Sequence, residues 1–224
     1  MTLTPEPERR RAPRLGFVLG VVFAVAALAL SGYLFVTLRQ TDRAQQIEEL
    51  TQRYGGTRAV GGPFRLRAAA GQLLTEATSE ERMTLLFFGF THCPDVCPTA
   101  LTKVGAALDL LPAEDREQVR PIFVSVDPER DTPELLAQYV AYFHPMLIGA
   151  TAEPGTLDEM IAAFRAYYRK VPLENGDYTV DHSAILYLLD AQGRSLALFG
   201  QATDAEDLAK AMHDFAQALR LARD

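Results

Sequence analysis

Cys93 and Cys97 are the only cysteines of the chain, and they stand in Phe88-Gly89-Phe90-Thr91-His92-Cys93-Pro94-Asp95-Val96-Cys97-Pro98. An apolar, strand-like run ends, a short loop follows, and a helix is predicted to start at about Pro98, where proline suits a first turn. Cys97 then sits at or beside a helix N-terminus, with Cys93 one turn earlier. Unpaired N–H groups there favour an anion, so a thiolate is stabilised and its pKa falls. If the segment coils, the spacing also keeps the two Cα atoms within reach of a disulfide. The same spacing lets both sulfurs meet one metal ion. Inert buried cysteines are the commoner case in proteins at large, but two prolines, Asp95 and a helix mouth argue against burial here. Thiolates select Cu(I), Zn or iron–sulfur clusters. Two sulfurs cannot supply a four-cysteine cluster within one chain, so a metal site needs help from imidazole or carboxylate.

Four histidines are available. His213 falls on a polar helix face and is expected to be solvated. His144, before Pro145, reads as a loop or packing residue. His92 adjoins the cysteine pair but follows a strand and can point away. His182 lies in Asp181-His182-Ser183, just before a predicted buried strand; taken alone, such a histidine is more often structural than a ligand.

The elements that must position these groups follow from hydrophobic patterning. Met83–Phe90 is a continuous apolar run, as expected of a strand buried on both faces, and Val119–Val126 reads as the next buried strand. Leu101, Val104, Leu108 and Leu111 repeat at helical spacing behind Pro98. Thr132-Pro133-Glu134 reads as a cap and first turn of a helix with Leu135, Leu136, Tyr139, Val140 and Phe143 on its apolar face. A third helix is predicted through Leu157, Ile161, Phe164 and Tyr168. Ala184–Leu189 and Ser195–Phe199 read as strands joined by the turn Asp190–Arg194, and Leu208, Met212, Phe215 and Leu219 mark a closing helix. Alternating strands and helices followed by a hairpin imply an α/β sandwich around a mixed sheet.

Ahead of this body, Leu15–Val36 is an uncharged run of 22 residues. As a helix it spans roughly 33 Å, enough for a hydrocarbon core of about 30 Å. A signal peptide, whose apolar stretch is usually shorter, is the alternative, with small residues at Ala29–Ser31 as a candidate cleavage site. The arginines at 9–14 orient the N-terminus toward the cytoplasm. The predicted organisation is a basic cytoplasmic tail (1–14), a transmembrane anchor (15–36), a stalk or linker (37–60) marked by Gly55-Gly56, and an exported domain (61–224). At 224 residues the chain has room for one such domain and its appendage. Six of the 22 basic and three of the 29 acidic residues fall before residue 45, which leaves the rest with 16 against 26. A body that acidic is a poor partner for nucleic acid.

Phe87–Leu101 (FFGFTHCPDVCPTAL), Ser125–Leu136 (SVDPERDTPELL) and Val180–Asp190 (VDHSAILYLLD) together resemble the SCO/SenC family of copper proteins. The resemblance runs from about Gly61 to the C-terminus and includes the N-terminal span; CPDVCP with a downstream DHS is far more specific than a bare cysteine pair. It implies a thioredoxin-like fold, copper as Cu(I) or Cu(II), and help in building the dinuclear copper centre of cytochrome c oxidase. Carried over by position, Cys93 and Cys97 become the sulfur ligands and His182 the imidazole ligand. Asp181 then reads as an orienting partner of that imidazole or as a solvated turn residue. Asp127 and Asp131 match an acidic loop of the family, read either as a partner-docking feature or as loop and helix capping. The implied partners are the copper-bearing oxidase subunit and another periplasmic copper chaperone. The implied location is the bacterial inner membrane, with the domain on the periplasmic side.

Other functions remain open at this point. Cys93 and Cys97 can serve as the redox-active pair of a thiol–disulfide oxidoreductase that keeps a partner's cysteines reduced, although the usual redox motif has two intervening residues rather than three. A thiol peroxidase fits less well, because of the second cysteine and the DHS triplet. A copper or redox sensor is a further, non-catalytic possibility.

Overall fold

The computed structural model describes residues 14–79, 82–174 and 176–220. Arg9, Arg10 and Arg11 of the expected basic tail lie outside them. The chain divides into two compact units, residues 1–44 and 45–224. The first is occupied by the apolar part of helix α1 (Arg14–Arg53), whose most apolar window has a mean hydropathy of 2.3. Among the described residues α1 alone is long and apolar enough to cross a membrane. Large side chains of that apolar part, Phe23 and Leu28 among them, are exposed. Residues 45–60, within the span read as a stalk, belong to the second unit. Leu50 and Val60 are buried there, and the Tyr54 hydroxyl donates to Asp214 at 2.6 Å.

The second unit is built from strands β1 (Arg65–Ala68), β2 (Leu73–Thr75) and β3 (Met83–Gly89), helices α2 (Val96–Leu110) and α3 (Ala113–Arg116), β4 (Val119–Ser125), α4 (Pro133–Phe143), β5 (Ile148–Thr151), α5 (Pro154–Ala163), β6 (Tyr168–Pro172), β7 (Tyr178–His182), β8 (Leu186–Leu189), β9 (Ser195–Phe199) and α6 (Ala205–Arg220). Seven strands form one mixed sheet in the order β2-β1-β5-β4-β3-β8-β9. The central strands β3 and β4 run parallel in full register, Met83 opposite Val119 and Gly89 opposite Ser125, and every residue of both is buried. Burial on both faces is why β3 reads as an apolar run rather than an alternating one, while β4 also buries Arg120 and Ser125. Helices cover both faces. In α6, Leu208, Met212 and Phe215 face the core, and Asp204 caps the first turn by accepting from the Asp207 amide. The fold is thioredoxin-like.

Several elements differ from the sequence expectation. Helix α2 starts at Val96, two residues before Pro98, because the third helical residue also has no intrahelical use for an N–H. The third predicted helix stops at Ala163, Phe164 caps it, and Tyr168 belongs to β6. Arg165, at φ 50°, follows that cap and turns the chain out of the helix. The short strands β1 and β2 and the β6–β7 hairpin carry weak or mixed patterning and were not expected. The hairpin is a sheet of its own, paired with no strand of the main sheet.

Candidate metal centre

Topology brings the site together. Because β3 and β4 are parallel neighbours, the loops that follow them, 90–95 and 126–132, leave the same sheet edge. Strand β8 is antiparallel to β3, with Leu186 opposite Phe87, so the chain entering β8 also emerges at that edge. His182, the last residue of β7, stands four residues before Leu186. The sulfurs of Cys93 and Cys97 and a ring nitrogen of His182 thus lie within 4.8 Å of one another. His182 Nε2 is 3.3 Å from the Cys97 sulfur. Its Nδ1 is 3.1 Å from the Ser183 carbonyl. A proton on Nδ1 suits that contact and leaves Nε2, on the side of the Cys97 sulfur, as the nitrogen able to meet a metal ion. Phe87 and Phe90 meet the imidazole edge-on at 5.9 and 5.8 Å and wall the site.

Cys97 is fully buried in the first turn of α2, whereas Cys93 is half-buried. The Cys97 amide donates to the Cys93 sulfur at 3.4 Å, so the helix N-terminus does stabilise a thiolate, on Cys93. The hydrogen bond from the Cys97 thiol pulls the Cys93 pKa down to about 4 against the opposing effect of burial, and His182 and the Cys97 amide add to it. The same pairing, with burial, pushes Cys97 well up. One proton is therefore shared by a pair with one nucleophilic and one protected sulfur. Since the shift is downward, Cys93 is ionised throughout the neutral range. Iodoacetamide should alkylate it at a nearly constant rate from pH 6 to 8 in metal-free protein, leaving Cys97 unmodified. A rate that climbs with pH as for an ordinary thiol would contradict this electrostatic arrangement.

Gly89, missed in the sequence, makes room for Cys97. A Cβ there would sit 2.6 Å from the Cys97 sulfur and 2.7 Å from the Phe123 ring, so any side chain would displace one of them. The available signal was a glycine breaking an apolar run immediately before the cysteine loop.

The remaining residues singled out in the sequence lie outside the group. Asp181 is exposed and lies 3.3 Å from Arg169, so it does not orient the imidazole; the Ser183 carbonyl does. Asp127 and Asp131 are fully buried and present no docking surface. Asp131 accepts from the Thr91 amide (3.0 Å), the Thr91 hydroxyl (2.6 Å) and the Ser125 hydroxyl (2.6 Å), which ties down the loop into Cys93. Asp127 accepts from Arg130 Nε at 2.6 Å and from the Tyr178 hydroxyl at 2.8 Å. His92 is exposed and turns its Nδ1 toward Thr91 and Asp131. His144 is buried, and its Nδ1 accepts from the Met146 amide, as a packing residue does. His213 is not simply solvated: its Nδ1 lies 2.5 Å from Asp115, whose fully buried carboxyl group also meets Arg220. A buried acid needs such partners.

A thioredoxin-like domain with two helix-mouth cysteines and a facing imidazole defines a class of thiol- and metal-competent proteins. Comparison with known proteins narrows it. The SCO1/SenC family model matches residues 52–217, and the chain belongs to that family. Curated relatives include the mitochondrial SCO1 homologue of Homo sapiens, 38% identical over 185 residues (82% of this chain, 60% of the human protein). The SCO1 homologue 1 of Arabidopsis thaliana is 37% identical, over 81% of this chain and 57% of that protein. The chain thus spans less than two thirds of either relative. The SCO2-like protein of Rickettsia prowazekii is 32% identical over 80% of this chain and 88% of its own length. Among solved structures, Bradyrhizobium japonicum ScoI with copper bound is 41% identical, with a TM-score of 0.64 over 69% of this chain and 98% of that one. Yeast Sco1 with copper bound is 31% identical, with a TM-score of 0.64 over 71% and 89%.

Proposed function

We propose that this chain is a membrane-anchored copper chaperone that supports assembly of the dinuclear copper centre of cytochrome c oxidase. The observation carrying this reading is the convergence of the Cys93 and Cys97 sulfurs and a ring nitrogen of His182 within 4.8 Å on a family scaffold whose relatives were solved with copper bound. Two thiolates suit Cu(I), and an added imidazole makes the set able to hold Cu(II) as well. Copper is here the cargo, to be passed to the copper-bearing oxidase subunit or received from another chaperone. Residues 15–36 would hold the domain to the bacterial inner membrane, and a basic N-terminal tail would leave residues 61–224 on the periplasmic side.

The full chain should stay in the membrane pellet after a carbonate wash, and protein solubilised from it should take up one copper ion. Its Cu(II) form should show thiolate-to-copper absorption that vanishes in Cys93→Ser and Cys97→Ser. Release into the wash would overturn the anchor; a lack of copper uptake would overturn the cargo.

The ionised, half-buried Cys93 favours a second reading, a thiol–disulfide oxidoreductase acting on the copper-accepting partner. The Cys93 thiolate would attack a partner disulfide to give a mixed disulfide and a released partner thiolate. Cys97, losing its proton, would then attack Cys93, which frees the second partner sulfur and leaves Cys93 and Cys97 oxidised.

A further inference from the structure

We infer that Arg130, with Asp127 and Tyr178, is a positioning set that clasps the β6–β7 hairpin shut and thereby sets how often His182 faces the two sulfurs. The hairpin needs such a clasp. Among the described residues its strands pair only with each other, and of its ten strand residues Val180 alone is buried. At its base Tyr168, opposite His182, holds Asp158 of α5 at 2.7 Å, and Ser183 and Tyr167 exchange hydrogen bonds. Beyond that base, the arm is held by the turn after β4.

Arg130 supplies the hold. Its Nε donates to Asp127 at 2.6 Å and its Nη1 to the Tyr178 carbonyl at 2.8 Å. Its guanidinium carbon lies 3.7 Å above the centre of the Tyr178 ring, while the Tyr178 hydroxyl reaches round to Asp127. The other ring near the guanidinium is Phe90, at 5.9 Å, in the loop leading to Cys93. Asp127 is fully buried and Arg130 and Tyr178 are partly so, which shields the charge-assisted bond and the cation–π contact from part of the solvent screening. The neighbouring Lys170–Glu129 pair is exposed and contributes little by comparison. The same five-residue turn holds the cysteine loop through Asp131, so one bracket fixes both halves of the site.

The consequence for copper rests on the function proposed above. An apparent dissociation constant scales inversely with the competent fraction, so lowering the closed population about tenfold weakens Cu(II) binding about tenfold. Cu(I), which two thiolates can hold, is affected less. The test compares full-length wild type, Arg130→Gln and Tyr178→Phe, which keeps the ring but loses the hydroxyl; Arg130→Lys serves as partial rescue. In metal-free protein, hydrogen exchange of the β6 and β7 amides should quicken by well over tenfold in Arg130→Gln, since a tenfold fall in the closed population takes the open fraction from a minor one to about nine-tenths, and by less in Tyr178→Phe and Arg130→Lys, with β3 and α6 unchanged. Copper titrations should show Cu(II) affinity falling with the same rank order while Cu(I) affinity stays within about twofold. Hairpin exchange equal to wild type in Arg130→Gln overturns the clasp, as does loss of protection throughout the domain. Quickened exchange confined to the hairpin supports it even in a protein that takes up no copper, a result that would sink the proposed function instead.

Discussion

Replacing His182 by Ala is expected to weaken Cu(II) binding by at least about a hundredfold, beyond the 10- to 100-fold typical of losing an outer partner of a metal ligand. Cu(I) binding should fall far less, because both sulfurs remain and suffice for a soft monovalent ion. The imidazole is walled by Phe87 and Phe90 without supporting them, so the fold should survive the change. Parallel titrations with the two oxidation states, each in competition with a chelator of known affinity, measure the split. The same variant separates the two readings of function. Thiol exchange runs through Cys93 and Cys97, and the largest lowering of the Cys93 pKa comes from Cys97 rather than His182. A purely redox protein would therefore turn over an oxidised partner peptide nearly as fast without His182. Equal Cu(II) retention by wild type and His182→Ala would falsify the assignment of His182 as a ligand.

The second large effect is on stability. Asp131→Ala removes the acceptor of three donors, the Thr91 amide, the Thr91 hydroxyl and the Ser125 hydroxyl. The hydroxyls can turn to other acceptors, but the amide cannot, and a buried unsatisfied donor costs about 1–3 kcal/mol. Adding the lost charge-assisted bonds gives a destabilisation of about 3 kcal/mol, or roughly 6–12 °C in melting temperature for a domain of this size. Urea unfolding followed by circular dichroism gives the free energy, and exchange at the Thr91 amide reports the local opening. An Asp131→Ala protein as stable as wild type would show that the loop into Cys93 is held by something else.

The clasp and Asp131 share a cause in the chain. Ser125-Val126-Asp127-Pro128-Glu129-Arg130-Asp131-Thr132 reads as a charged surface loop, yet two of its acids are among the most buried groups of the protein. Nothing in a linear pattern distinguishes an aspartate that caps a turn in water from one that receives three internal donors. The difference lies in what the neighbouring loop brings, and its donor, Thr91, lies 40 residues before Asp131. The hairpin escaped notice for a related reason. Its strands bury one residue between them, so the alternation that marks a half-buried strand is absent.

By itself the sequence determined the apolar span from Leu15, the two strands buried on both faces, the amphipathic helices and the cysteine pair at a helix mouth. These depend on neighbours a few residues apart, and local periodicity and capping encode them. Tertiary structure decided which sulfur ionises, which groups hold the site, and that His182 meets Cys97, 85 residues before it. Those outcomes follow from strand order. With β4 parallel to β3 and β8 antiparallel to it, three distant loops must leave one edge of the sheet, and only there do their polar side chains find each other.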